Sequence, residues 1–102
     1  MAADPKAEVE AALRAEAPEL ERAMAFLREA RQLAEAPSEV RVFDPIPNVM
    51  TRRAGFERAQ LVMQSSSRVA LQAYLAALTA RLFETAERSV RWHVDVDPLE
   101  FD

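Results

Sequence analysis

Asp95 and Asp97 are spaced i, i+2 near the end of the chain, with His93 two positions earlier. On an extended strand all three side chains point to one face. Two carboxylates so placed suit a hard cation or general acid–base work. No third ligand is evident, although Glu100 and Asp102 follow closely. The plainer reading is a polar strand face, with Asp97 opening the turn before Pro98. His93 is the single histidine, and there is no cysteine. A thiol nucleophile, a zinc ribbon and a histidine metal cluster are therefore excluded. Gly55 is the single glycine. Gly-rich phosphate loops need several glycines for close backbone approach, so those are excluded too. On the plainer reading the chain holds no catalytic group and no metal site.

Binding chemistry is better represented. Arg68 and Gln72 are i, i+4 on a helical stretch and so are surface neighbours. At about 100° per residue they lie about 70° from the centre of the stripe Leu71, Leu75, Leu78 and Leu82. Arg68 falls in the first turn, where a cation opposes the helix dipole. Free helix-start amides, an Arg fork and a Gln amide together suit a carboxylate, such as a peptide terminus. The competing reading is an exposed arginine with no ligand.

Charge is unevenly spread. Net charge is −4. Residues 1–40 carry nine acids and five bases, whereas 41–102 carry eight of each. Between 51 and 82, Arg52, Arg53, Arg58, Arg68 and Arg81 face only Glu57. A basic stretch on an acidic chain points to an anionic partner or to a solvated face. Phe56 sits among these arginines. Exposed, it would stack on a base; buried, it would anchor the segment. Trp92 reads as core, and Tyr74 lies off the leucine stripe, where it would either pack or be exposed.

The elements that must position these groups follow from periodicity. The 102 residues suit one domain, and 50% are hydrophobic. No apolar run approaches the ~18 residues of a membrane span, and no signal peptide is apparent, so the expected location is cytoplasmic. Residues 1–10 read as a mobile end or linker, and 11–102 as the domain. Leu20, Ala23, Met24, Leu27, Ala30 and Ala34 predict a helix over 18–36. Val40, Val42 and Phe43 begin a short strand that Asp44-Pro45-Ile46-Pro47 ends. Residues 46–57 read as a long connection. Alternation predicts a strand over 58–64. Ser65-Ser66-Ser67 offers an N-cap for a helix over about 67–87. Val90, Trp92, Val94 and Val96 alternate with polar residues as a last strand. Segment 13–17 is helical by propensity, but Pro18 opposes that. Read as a strand, about 11–17, it completes βαββαβ: a ferredoxin-like, two-layer α/β sandwich of the α+β class, with an antiparallel sheet and two helices.

The stretch Arg53-Ala54-Gly55-Phe56-Glu57-Arg58-Ala59-Gln60-Leu61-Val62-Met63-Gln64, with Ser67-Arg68 and Leu71-Gln72 after it, resembles a known family. So does Val90-Arg91-Trp92-His93-Val94-Asp95-Val96-Asp97-Pro98. Both are similar to the C-terminal domain of the bacterial primosomal protein N′ (PriA) helicases. The resemblance implies a ribosomal-protein-like sandwich and a strand at 13–17. It implies a non-catalytic part of an ATP-dependent 3′-to-5′ DNA helicase of replication restart. ATP, magnesium and zinc would be held upstream, with no cofactor here. Implied partners are forked or single-stranded DNA, other primosome proteins and the C-terminal tail of the single-stranded-DNA-binding protein, with no membrane. Arg68 and Gln72 match the family's tail-binding positions. The family often has a basic residue and an aromatic where Phe56 and Glu57 stand, which leaves Arg52, Arg53 and Arg58 as the loop's cations. The alternative is a free-standing ferredoxin-like RNA-binding module. Its sheet would display aromatics, where this chain has Gln60, Gln64, Arg91, His93 and Asp95. A small acid–base enzyme using Asp95 and Asp97 is the remaining reading.

Overall fold

The computed structural model describes residues 8–53, 55–85 and 90–96, with 49–53 described by their backbone. Its elements run β1 (Val9–Ala17), α1 (Leu20–Leu33), β2 (Val40–Val42), β3 (Ile46–Arg53), β4 (Phe56–Ser65), α2 (Arg68–Thr85) and β5 (Arg91–Val96). Two helices and an antiparallel five-stranded sheet make an α+β sandwich. The strand path is β2-β4-β1-β5, with β3 also paired to β4. Setting β3 aside, the remaining strands have the ferredoxin-like order.

Alternation sorts the strand residues onto two faces. Ala11, Leu13, Ala15 and Ala17 of β1 are buried beside Ala59, Leu61 and Met63 of β4. This face receives Ala23, Phe26, Leu27 and Ala30 of α1, and Leu71, Tyr74, Leu75, Leu78 and Leu82 of α2. Each fully buried Leu or Met contributes roughly 1.5–3 kcal/mol relative to exposure. The opposite face carries Glu10, Arg14, Glu16, Arg58, Gln60, Gln64, Arg91, His93 and Asp95.

The last strand and the leucine stripe lie where periodicity puts them. Tyr74, off the stripe by spacing, is packed rather than exposed. Trp92 is half-buried against the core, its ring centroid 5.0 Å from that of Phe83. α1 is shorter than 18–36. Glu19 and Ala34 flank it in extended conformations, with ψ 136 and 140. Ala36, before Pro37, is disfavoured in helical geometry, which accounts for the helix ending short of 36. Nothing in the structure explains the extended Glu19.

Residues 46–53 are a strand, not a connection. Pro47 sits opposite Ala59 within β3. Proline is tolerated there because β3 is on the sheet edge, where an N–H need not reach a neighbour. The register slips between Pro47 and Arg52, and the strand turns back so that Arg53 faces Phe56. Gly55 makes that turn with φ 83, a left-handed conformation that suits glycine. β4 accordingly begins at Phe56, two residues before the alternation starts.

Candidate functional site

The predicted site residues fall into two places. Arg68 opens α2, and Gln72 lies one turn on; both are exposed. Their placement follows from the cap. Ser67 Oγ accepts from the Ala70 N–H at 3.1 Å, and Ser65 Oγ accepts from the Ser67 N–H at 2.9 Å. The serine run thus fixes where the helix starts, and Arg68 becomes its first residue. No acid stands in that first turn. Neither Arg68 nor Gln72 has a hydrogen-bond or ion-pair partner among the described residues. Val69, between them in sequence, is 78% exposed. The result is a helix start with an uncompensated guanidinium, a nearby amide and an apolar contact. That chemistry suits a peptide carboxylate with an apolar neighbour.

The second place is the β3–β4 hairpin. Its backbone sets Arg52 opposite Glu57 and Arg53 opposite Phe56; the side chains of Arg52 and Arg53 lie outside what is described. Arg58 is half-buried on β4, opposite Glu16 of β1. Arg91, on β5, is opposite Glu16 from the other side. Its guanidinium carbon lies 4.2 Å from the centroid of the Phe56 ring. Phe56 is therefore half-buried under a cation, between the two alternatives that the sequence leaves open. Sequence spacing carries no signal that Arg91 belongs to this cluster, because β1 lies between β4 and β5.

The acidic candidates are differently engaged. Asp95 Oδ2 accepts from Arg14 Nε at 2.7 Å, and His93 Nε2 is 3.8 Å from the same oxygen. Asp97, Glu100 and Asp102 lie outside the described residues. Among the described residues, no group of three or more His, Cys, Asp or Glu is placed to hold a metal. No helix among them is long and apolar enough to cross a membrane.

The fold defines a small α+β module of two helices on an antiparallel sheet. A solved designed protein, "De novo designed protein Foldit4", has a similar fold: TM-score 0.60 at 11% identity, over 89% of this chain and 99% of that one. At that identity the likeness speaks for the fold alone. The family is given by sequence: the primosomal protein N C-terminal domain model matches residues 8–99. This chain belongs to that family, and its place is with the DNA-replication machinery of the primosome.

Proposed function

We propose that this domain is a non-catalytic part of a replication-restart helicase and works as a two-sided adaptor. One side, Arg68 and Gln72, docks the acidic C-terminal tail of the single-stranded-DNA-binding protein. The other, Arg52, Arg53 and Arg58 of the β3–β4 hairpin, contributes to binding forked or single-stranded DNA. ATP, magnesium and zinc belong to the rest of such a helicase. The observation that carries the tail assignment is the start of α2, where an exposed guanidinium and amide sit one turn apart with no acid in the first turn. A cation there costs on the order of 0.3–1 kcal/mol against the dipole, which an anionic ligand would offset.

The test is binding of the tail peptide to the full-length protein carrying Arg68→Ala. Loss of a charged hydrogen-bond partner is expected to weaken binding by about 1.5–3 kcal/mol. Unchanged affinity would overturn the assignment. DNA binding is read separately by changing Arg58 to Gln. A shallower salt dependence is expected, because fewer phosphates are then neutralised and fewer counterions are released.

A further inference from the structure

We propose that Phe56 and Arg91 form a stacking site for single-stranded DNA at the hairpin end of the open sheet face. The inference deepens the DNA-binding reading above and rests on it. It adds a strand that the hairpin does not contain. Arg91 comes from β5, and the strand order brings it back over Phe56 at 4.2 Å.

Charge pairing distinguishes this end of the sheet face, although Arg68 and Arg81 of α2 also have no carboxylate within 4.0 Å among the described residues. Arg14, Arg22, Arg28, Arg31 and Arg41 each have a carboxylate within 4.0 Å: Asp95, Glu19, Glu21, Asp44 and Glu8 respectively. Arg58 and Arg91 have no such carboxylate among the described residues, although Glu16 stands between them in the sheet register. Arg91 meets an aromatic ring where most of the others meet an acid. A guanidinium laid on a ring keeps its charge and its in-plane donors, and its second face can stack on a base. Arg58, on the same face, can follow the phosphates of the bound strand.

Access is open as well. Gly55 is exposed, and a Cβ built there would meet no atom within 4 Å. Among the described residues, nothing crowds the turn that adjoins Phe56. The unpaired strand is the fitting ligand because stacking needs a free base face, which a duplex hides. Glu16, opposite both arginines in the register, is a countercharge to the phosphates.

The experiment measures binding of the full chain to a labelled oligothymidylate and to a duplex of equal length, by fluorescence anisotropy. Phe56→Leu and Arg91→Gln are each expected to weaken the oligothymidylate complex about fivefold or more. Phe56→Leu should leave duplex binding within about twofold. Glu16→Gln should tighten both complexes. Because Phe56→Leu could disturb the hairpin, the unmutated chain supplies a second readout: added oligothymidylate should shift the Phe56 ring and Arg91 Nε resonances. Oligothymidylate binding that is unaffected by both variants, with those resonances unmoved, would overturn the stacking site and leave the hairpin reading standing. No binding to either DNA would remove both. Tighter binding to oligouridylate than to oligothymidylate would overturn the assignment to DNA.

Discussion

Arg14 and Asp95 join the centre of the sheet to its edge: Arg14 Nε donates to Asp95 Oδ2 at 2.7 Å. The same guanidinium donates through Nη1 to Gln60 Oε1 at 3.0 Å. One side chain on β1 thus ties β4 to β5 across the open face. Both members of the ion pair are part-exposed, at 33% and 54%, so water and salt screen it. Asp95→Asn should lower stability by about 0.2–1 kcal/mol, and less in high salt. Arg14→Ala should cost more, since it also removes the Gln60 bond and the packing of its stem. Urea midpoints at low and high salt check both. The geometry also bears on acid–base chemistry, because one of the two carboxylates that the sequence offers, Asp95, is held by an arginine.

The Ser67 hydroxyl caps the start of α2. Ser67→Ala removes the acceptor for the Ala70 N–H and should cost ~1 kcal/mol. For a domain of this size that lowers the melting temperature by about 4–8 °C. Ser66→Ala is the control, because Ser66 is exposed and no bond to the helix start involves it. Thermal melts followed by circular dichroism separate the two.

Tyr74 gives the alkaline prediction. It is 3% exposed, and its hydroxyl is buried with no hydrogen-bond partner among the described residues. Burial raises its pKa above 10.0, and the charge of Arg31 works in the opposite direction. The folded protein therefore keeps a proton that the unfolded chain loses. Stability from this group is intact below about pH 10 and falls as pH rises through the folded pKa. Tyr74→Phe should flatten that fall. It should leave neutral-pH stability unchanged or raise it, because an unsatisfied buried hydroxyl costs about 1–3 kcal/mol. Urea denaturation of the two proteins at neutral and alkaline pH reads the difference. Tyr74 is the single tyrosine, so absorbance titration reports it alone.

Much of this architecture is legible in one dimension because its signals are local. The serine run marks the cap of α2, and the i, i+4, i+7, i+11 leucines are all buried. Alternation over 58–64 and 90–96 marks the two strands that flank β1. What stays hidden depends on neighbours in space. Pro45 and Pro47 argue against a strand at 46–53, yet an edge position makes the missing donor harmless. Propensity favours helix at 13–17, but Leu13 and Ala15 are buried between two partner strands. The resemblance, not propensity, places that strand. The site divides the same way. Arg68 and Gln72 are neighbours by helical spacing alone, whereas Arg91 reaches Phe56 only through the sheet order.

Gly55 tests whether the hairpin is set by backbone conformation or by crowding. Its φ of 83 is one that L side chains rarely adopt, but a Cβ there meets nothing within 4 Å. A substitution should therefore cost only the backbone term. Gly55→Ala is expected to destabilise by roughly 1 kcal/mol or more. Gly55→Asn should cost less, since asparagine tolerates the left-handed region better than other side chains. Gly55→Val should be the worst of the three, because β-branching disfavours positive φ most. The order Asn, Ala, Val in urea midpoints is the expected outcome. Equal losses for all three would mean that the turn changes conformation on substitution. The Arg53–Phe56 register, and with it the position of Phe56 beneath Arg91, would then shift as well.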